Sequence, residues 1–232
     1  MRLAVIPARG GSKRIPNKNI KEFCGKPMIS WAISTAMESG CFDKIIVSTD
    51  DSRIADLSRS YGADVPFVRP AALADDYTGT IPVIRHAIEE CRAQGYEATF
   101  VCCIYATAPF ITAADLREGL QLIQETNSPY VFSITSFPFP IQRALRLSGE
   151  GQVEMFNPEH VDTRSQDLEE AYHDAGQFYW GRTEAWEQEQ AIFSTKSAAV
   201  VLPRHRVQDI DTLEDWTRAE WLFKALRAES GQ

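Results

Sequence analysis

The sequence lacks a hydrophobic run long enough to form a membrane-spanning helix, although 44% of its 232 residues are apolar. An apolar strand pattern begins at Leu3, so we expect no signal peptide. A chain of this length and composition can bury one substantial core, as single α/β domains do. These features predict a single domain over residues 1–232 that has no membrane partner.

Cysteine is scarce and shows no metal-binding arrangement. The chain has five cysteines, an odd number, with no Cys-x-x-Cys pair and no histidine at zinc spacing. Cys102 and Cys103 are adjacent within an apolar run. We interpret all five as reduced, mostly buried residues of a cytoplasmic protein.

Positive charge is scarce overall and is concentrated at one end. The formal net charge is -8, yet residues 1–21 hold six Lys and Arg and no acid, which leaves 18 bases against 32 acids in the remainder. Nucleic-acid binding needs a broad basic face, so we expect no nucleic-acid partner. One basic loop in an acidic body indicates a small anionic ligand held at one place, and a solvated charge cluster is the alternative.

Strand and helix patterns alternate over the first 135 residues. This alternation predicts an α/β fold with a mostly parallel, twisted sheet and helices on both faces. Ligands in such sheets bind beyond the carboxyl ends of the strands, where this chain carries polar or turn-rich segments. The predicted strands are 3–6, 44–50, 65–68, 99–104 and 130–135, and the predicted helices are 27–39, 51–61, 81–92 and 113–125.

The alternation stops after residue 136. Residues 137–172 carry scattered aromatics, prolines and charges, after which strand patterns return at 176–181 and 198–203 and a last helix is predicted at 212–227. We interpret 137–172 as an excursion inserted into the single domain. It either packs on a partner subunit or forms a long surface loop.

The basic loop reads IPARGGSKRIPNKN, over residues 6–19. It matches neither the P-loop GxxxxGK(S/T) nor the dinucleotide fingerprint GxGxxG. Main-chain N–H groups from Ala8 to Ser12 could wrap an anion, with Gly10 allowing close approach. Arg9, Lys13 and Lys18 could each reach a different phosphate oxygen. This composition suits a nucleoside triphosphate that loses pyrophosphate.

A second signal is VQDIDTLEDW, over residues 207–216. Asp209 and Asp211 are two residues apart, so on an extended segment they project to the same side. Two such carboxylates can hold magnesium together with phosphate oxygens. Alternatively, one of the Asp residues or Thr212 caps the following helix.

These segments together resemble the sugar nucleotidyltransferases, in particular the acylneuraminate cytidylyltransferases. The resemblance is carried by the basic loop, VSTDD (47–51), VRPAALADD (68–76) and VQDIDTLEDW, and it spans nearly the whole chain. It implies a Rossmann-like nucleotidyltransferase fold with a dimerisation excursion, and a homodimer. It also implies CTP and an acidic nine-carbon sugar as substrates, with Mg2+ as the cofactor.

The loop and the resemblance together identify candidate site residues. The catalytic candidates are Arg9, Lys18 and Asp211, and the magnesium ligands are Asp209 and Asp211. The nucleotide-binding candidates are Ala8, Arg9, Gly10, Ser12, Lys13, Asn19, Arg69, Thr78, Gly79 and Thr80. The sugar-binding candidates are Tyr105, Arg143, Arg164, His173, Gln177, Phe178 and Tyr179.

One stretch departs from the family pattern. Enzymes that act on sialic acid carry Gln-Pro-Thr-Ser-Pro-Leu-Arg where this chain has YATAPFI, so the Gln becomes Tyr105 and the Arg becomes Ile111. A pocket without that amide and guanidinium binds different sugar groups. Together with CCIYATAPF (102–110), PFPIQRAL (138–145), 157–181 and 203–216, this favours the pseudaminic acid branch, whose substrate is a 5,7-diacetamido nonulosonic acid with a C9 methyl group. N-acetylneuraminic, legionaminic and 3-deoxy-octulosonic acids are the alternatives.

The implied reaction is attack by the anomeric hydroxyl of the sugar on the α-phosphorus of CTP, with release of pyrophosphate. The general base stays open between a metal-bound water and His173. His173 could instead simply donate to a backbone carbonyl. Arg143 and Arg164 could form intersubunit ion pairs. Tyr105 and Phe178 could be core residues. A non-catalytic nucleotide-binding module is the alternative from a different functional class.

Overall fold

The computed structural model describes residues 1–229. This part of the chain forms ten strands and six α-helices. The strands are β1 (Arg2–Pro7), β2 (Glu22–Phe23), β3 (Lys26–Pro27), β4 (Lys44–Ser48), β5 (Phe100–Ile104), β6 (Tyr130–Ser136), β7 (Leu145–Leu147), β8 (Val153–Met155), β9 (Tyr172–Arg182) and β10 (Ala198–Val201). The helices are α1 (Met28–Ser39), α2 (Ser52–Ser60), α3 (Thr80–Ala93), α4 (Ala113–Glu125), α5 (Thr183–Glu187) and α6 (Leu213–Glu229).

Six strands form the central sheet, in the order β10-β6-β9-β5-β1-β4. The pairs β1–β4, β1–β5 and β10–β6 are parallel, whereas β9 runs antiparallel to both β5 and β6. The predicted α/β class with a mostly parallel sheet is confirmed. The antiparallel direction of β9 is compatible with its connection, since an antiparallel pair needs no crossover helix and the excursion between β6 and β9 contains none.

The prediction of a strand at 65–68 is wrong. Pairing along this stretch ends at a single bridge between Asp64 and Ile46. Pro66 follows with no N–H to donate to a ladder. The chain instead turns so that the Arg69 N–H donates to the Thr49 carbonyl at 2.8 Å. This contact carries Arg69 to the carboxyl end of β4.

Successive side chains of β9 pack into the two core clusters on opposite faces of the sheet. Trp180 and Phe178 pack toward α4, and a Cβ on Gly119 would lie 2.7 Å from the Trp180 ring. Glycine in this helix therefore permits the close approach of helix and sheet. Tyr179 faces the opposite side, with Cys103 and Phe132.

An aromatic cluster joins the two ends of the chain. The Phe23 ring lies 5.4 Å from the Trp216 ring and 5.3 Å from the Phe223 ring, and Trp31 lies 4.7 Å from Phe223. Edge-to-face contacts at these distances stabilise the packing beyond simple burial. The cluster holds the basic loop and its β2–β3 hairpin against α6, and so beside the segment that precedes α6.

Residues 137–171 connect β6 to β9 outside the sheet. The hairpin β7–β8 and three short 3-10 turns lie in this excursion. Its large apolar side chains are unusually exposed, including Phe139, Leu145, Leu147, Val153, Phe156 and Val161. Over residues 1–229, no helix has both the length and the apolar content to cross a lipid bilayer. All five cysteines are free thiols.

Candidate nucleotide-binding and active site

A cavity of about 520 Å³ opens at the carboxyl ends of the adjacent strands β1 and β5, beside the start of α3. This is the edge at which α/β sheets bind ligands. It brings together residues from five separate parts of the chain. The lining residues are Pro7, Arg9, Ser12, Lys13, Arg14, Lys18, Asn19, Arg69, Asp76, Thr78, Gly79, Thr80, Val83, Tyr105, Ala106, Thr107 and Asp211.

Lys18 is held where the basic loop meets the segment before α6. Ile15 is fully buried and anchors the loop, and the Lys18 N–H donates to its carbonyl at 3.2 Å. The Lys18 Nζ then donates to the Ile210 carbonyl at 2.6 Å and lies 3.5 Å from Asp211 Oδ1. A fixed ammonium group at the cavity wall can neutralise a phosphate oxygen.

The other loop cations are also paired with carboxylates. Arg9 Nη1 lies 2.6 Å from one oxygen of Asp76, and Lys13 Nζ lies 2.5 Å from the other. These two cations lower the pKa of Asp76, Lys13 more than Arg9. Arg14 Nη1 lies 2.9 Å from Asp211 Oδ2. The sequence predicted the loop cations but not these partners.

Three main-chain N–H groups of the loop have acceptors that the sequence did not predict. The Ala8 N–H donates to the Ser48 carbonyl at 2.9 Å, and the Gly10 N–H donates to the Asp50 carboxylate at 2.9 Å. The Ser12 N–H donates to the Gly10 carbonyl at 3.0 Å. These three N–H groups have acceptors within the protein, and the anion nest predicted from Ala8 to Ser12 stays a prediction. Gly10 is needed for packing, because a Cβ there would lie 2.8 Å from the side chain that caps α2.

Two of the predicted nucleotide-binding residues, Asn19 and Arg69, lie buried in the cavity wall. Asn19 Nδ2 donates to the Arg9 carbonyl at 3.0 Å. Arg69 donates through Nε to Ser48 Oγ at 3.1 Å and through Nη2 to the Ser48 carbonyl. Burial lowers the pKa of Arg69 to about 10. Both side chains are fixed by these bonds before any ligand arrives.

The segment before α3 forms a tight turn over the cavity. The Asp75 carboxylate accepts from the N–H groups of Tyr77 and Thr78 at 2.9 and 2.7 Å, and from the Thr78 hydroxyl at 2.7 Å. Such an Asx turn sets the path of Thr78 and Gly79 into the helix. Thr80 begins α3, so it faces the cavity with the free N–H groups of the first helical turn.

Tyr105 is part of a polar chain that leads away from the cavity. Its hydroxyl lies 3.0 Å from the Thr80 hydroxyl, and its ring lies 5.3 Å from that of Tyr179. The Tyr179 hydroxyl donates to Asp174 Oδ2 at 2.5 Å. Burial raises the pKa of both phenols, so both stay protonated. Tyr105 lines the cavity, and Tyr179 supports it from β9.

The remaining sugar-binding candidates lie outside this cavity. Phe178 is completely buried, which favours the core alternative, and Gln177 is buried with its Nε2 donating to the Arg206 carbonyl at 2.6 Å. The His173 Nδ1 lies 2.8 Å from the Asp174 backbone carbonyl, the contact given above as its simpler role. Arg143 and Arg164 lie in the excursion, where Arg164 pairs with Asp167 at 2.7 Å.

The two carboxylates before α6, Asp209 and Asp211, do not cap this helix. Thr212 and Asp215 form the cap, with the Thr212 N–H and hydroxyl each donating to Asp215 Oδ2 at 2.8 Å. Asp209 and Asp211 flank the buried Ile210, so both project away from the core. Burial and then the charge of Asp211 raise the pKa of Asp209.

This pair fits part of a magnesium site. Two carboxylates that repel each other are hard oxygen ligands, and a divalent cation would relieve their repulsion. No group of three or more His, Cys, Asp or Glu suited to a metal occurs within residues 1–229. The remaining ligands would therefore be phosphate oxygens and water, which is how magnesium is commonly held beside nucleotides.

Sequence reasoning missed a buried ion pair that supports the same segment. Arg206 Nη1 and Nη2 lie 2.6 and 2.9 Å from the two oxygens of Asp115, in the first turn of α4. The Asp115 carboxylate also accepts from the Thr112 N–H and hydroxyl. Thr112 directly precedes the helix predicted at 113–125, where a capping threonine is expected, but the arginine that pairs with Asp115 lies 91 residues away from it.

Comparison with known proteins gives a consistent result. A family model described as cytidylyltransferase matches residues 3–214. The pseudaminic acid cytidylyltransferase of Campylobacter jejuni is 47% identical over 222 residues, covering 96% of each chain. The CMP-N,N'-diacetyllegionaminic acid synthase of Legionella pneumophila is 31% identical over 229 residues, again covering 96% of each.

A solved structure supports the fold. The structure of CMP:2-keto-3-deoxy-manno-octonic acid synthetase complexed with CTP matches with a TM-score of 0.69 and 17% identity, covering 97% of this chain and 98% of that chain. At this identity the likeness bears on the fold alone. It agrees with the sheet and flanking helices described above.

Proposed function

The chain belongs to the cytidylyltransferase family, and on this premise we propose that it transfers the cytidylyl group of CTP to pseudaminic acid. The premise rests on a family match that spans residues 3–214. The choice of sugar rests on the near full-length similarity to a pseudaminic acid cytidylyltransferase. The products are CMP-pseudaminic acid and pyrophosphate.

One structural observation supports this activity above the others. Four cations of the basic loop and the carboxylate of Asp211 line a single cavity at the carboxyl ends of β1 and β5. A triphosphate needs several cations, and its transfer needs charge stabilisation on both the α-phosphate and the leaving group. A non-catalytic nucleotide-binding module would not need Lys18 and Asp211 in contact beside those cations.

The reaction is a nucleophilic displacement at phosphorus. The anomeric oxygen of the sugar forms a bond to the α-phosphorus, and the bond from that phosphorus to the bridging oxygen of the β-phosphate breaks. The hydroxyl proton passes to a base or to water, and the electron pair leaves with pyrophosphate. Arg9, Lys13 and Lys18 neutralise the phosphate oxygens, while Asn19 and Arg69 orient the cytosine ring of the nucleotide.

Asp209 and Asp211 are the proposed ligands of Mg2+. The ion supplies charge neutralisation at the phosphate oxygens when it is bound. Lys18 keeps Asp211 in position through its bond to the neighbouring Ile210 carbonyl. Arg14, which lies 2.9 Å from Asp211, holds the carboxylate from the solvent side.

Tyr105 and Tyr179 form the proposed wall of the sugar site. The Tyr105 hydroxyl is engaged by Thr80, so the face of its ring is left for apolar groups of the substrate. A C9 methyl and acylamino methyl groups suit such a wall. His173 and Gln177 stay predictions for the same site, beside β9.

We further propose that the active form is a homodimer. The excursion exposes several large apolar side chains, which a monomer would leave in water. Packing of the excursion against a second copy would cover them. Arg143 and Arg164 would then be carried toward the cavity of the neighbouring subunit.

A substrate panel tests the proposed activity. Pyrophosphate release is measured with each of the four nucleoside triphosphates and with pseudaminic, legionaminic, N-acetylneuraminic and 3-deoxy-octulosonic acids, with and without Mg2+. We expect the highest kcat/KM with CTP and pseudaminic acid. Absence of turnover with every pair would overturn the proposed function, and preference for legionaminic acid would overturn the choice of sugar.

A further inference from the structure

Two carboxylates neutralise the four cations that the basic loop turns toward the cavity. Arg14 and Lys18 contact Asp211, one of the two proposed metal ligands. Arg9 and Lys13 contact Asp76, which the function proposed above leaves without a role. The second pairing joins two loops that are more than 60 residues apart, since Arg9 also donates to the Asp75 carbonyl at 2.7 Å, across 66 residues.

Asp76 engages the two cations as an anionic ligand would. Each of its oxygens serves a different cation, Oδ1 for Arg9 and Oδ2 for Lys13. A phosphoryl group would be gripped in the same way, with separate oxygens on a guanidinium and an ammonium. The Asp75 carboxylate takes no part, because it is committed to the turn that leads into α3.

The contact is accessible to an incoming ligand. The side chains of Arg9 and Asp76 are each 32% exposed, and that of Lys13 is 80% exposed. An ion pair that is open to water is held weakly and can be exchanged for another anion. The triphosphate tail carries more negative charge than one carboxylate, so it can take both cations from Asp76.

On the basis of the proposed function, we propose that Asp76 is an internal competitor for the polyphosphate of the nucleotide. It pairs with Arg9 and Lys13 when no polyphosphate is bound and yields them when the tail of CTP enters. After transfer it competes for the same cations with the departing pyrophosphate. Asp76 thereby weakens the hold on pyrophosphate and assists its release, while leaving the α-phosphorus to other residues.

A different role predicts the opposite result. If Asp76 only positioned Arg9 for phosphate, its removal would leave Arg9 less ordered and would weaken polyphosphate binding. If Asp76 competes, its removal frees two cations and strengthens binding. The sign of the change therefore separates the two roles.

The test compares Asp76→Asn with wild-type protein in a binding assay. Inorganic tripolyphosphate and pyrophosphate are titrated by calorimetry in metal-free buffer, so that neither sugar nor transfer is required. We expect Asp76→Asn to bind both about fivefold more tightly, the size of change that one partly screened charge produces. The gain should shrink at high salt.

Asp56→Asn is the matched control. Asp56 pairs with Arg59 at 3.0 Å on the surface of α2, and it does not line the cavity, so the variant has the same change in net charge without a change at the loop. We expect wild-type affinity for this control. Unchanged or weaker binding by Asp76→Asn, an equal gain in Asp56→Asn, or no polyphosphate binding by any of the three proteins would each overturn the proposal.

Turnover provides a second readout. In Asp76→Asn we expect KM for CTP and the inhibition constant of pyrophosphate to fall by similar factors, while kcat does not rise. Failure of the proposed function is distinguishable, because it would appear as absence of turnover in wild-type protein while the polyphosphate titrations stay interpretable. A higher inhibition constant for pyrophosphate in the variant would contradict the competitor role.

Discussion

Lys18 donates its Nζ to the backbone carbonyl of Ile210 at 2.6 Å, a bond that joins residues 192 positions apart. Through this bond the loop that carries the phosphate cations is fixed to the segment that carries Asp209 and Asp211. The two halves of the proposed site therefore depend on each other. A change at Lys18 should affect the stabilisation of phosphate charge, and a change at Asp211 should affect the dependence of the same reaction on Mg2+.

Lys18→Met should reduce kcat more than it raises KM for CTP. The substitution keeps an aliphatic side chain but removes the ammonium group that we propose stabilises the charge developing on the phosphates. Loss of one such group typically lowers kcat by about 100- to 1,000-fold. Steady-state kinetics with CTP and pseudaminic acid provide the measurement. Lys18→Arg keeps the charge and should recover part of the rate, whereas equal rates in both variants would argue against an electrostatic role.

Asp211→Ala should abolish Mg2+-dependent turnover while leaving the fold intact. Asp215 caps α6, so the loss of the Asp211 side chain removes a proposed metal ligand and the partner of Arg14 rather than a helix cap. Pyrophosphate release across a Mg2+ titration measures the effect, and circular dichroism checks the fold. Glu214→Gln removes one negative charge from the exposed start of α6 and should behave as wild type. Undiminished turnover in Asp211→Ala would refute the metal assignment.

Tyr179→Phe should raise KM for the sugar acid without changing KM for CTP. Its hydroxyl is bonded to Asp174 and supports Tyr105, which lines the cavity, so the loss should loosen the sugar wall alone. An increase of about fivefold is expected for the loss of one buried hydrogen bond. Tyr105→Phe, which loses the contact with Thr80, should show the same pattern. Equal increases in both KM values would place these residues in general packing instead.

Asp115→Asn should destabilise the protein in a pH-dependent way. Burial alone would raise the pKa of Asp115, but hydrogen bonds from Arg206 and Thr112 outweigh it and the pKa lies below its usual value. A lowered folded-state pKa stabilises the fold above the unfolded value of about 4, and this contribution is lost as the pH falls through the folded value. Leaving Arg206 unpaired should lower the free energy of unfolding at neutral pH by about 3 kcal/mol.

The free energy of unfolding is measured in urea at neutral pH and at a series of pH values below about 4. The gap between wild type and Asp115→Asn should narrow as the wild-type carboxyl group takes up its proton. Asp56→Asn, which breaks an exposed pair, should change the unfolding free energy by less than about 1 kcal/mol at any pH. A gap that is constant from neutral to acidic pH would show that the charge of Asp115 does not matter.

Much of this protein could be predicted because its signals are local. Alternation of strand and helix patterns predicted the α/β class. The cations that follow β1 do line one cavity, and the binding of an anion there stays a prediction. Thr112 and Thr212 were recognisable as helix caps, because capping needs only residues three positions apart. The family resemblance was carried by short contiguous stretches and is confirmed by the family match.

The direction of β9 and the partners of the cations were decided only by the tertiary structure. A strand pattern has the same period in either direction, so the antiparallel insertion of β9 between β5 and β6 leaves no local trace. Likewise, Arg9 with Asp76 and Arg206 with Asp115 are ordinary charged residues until the fold brings them together. Coulombic attraction depends on distance in space, and residues 67 or 91 positions apart acquire that distance only when the sheet and its loops have packed.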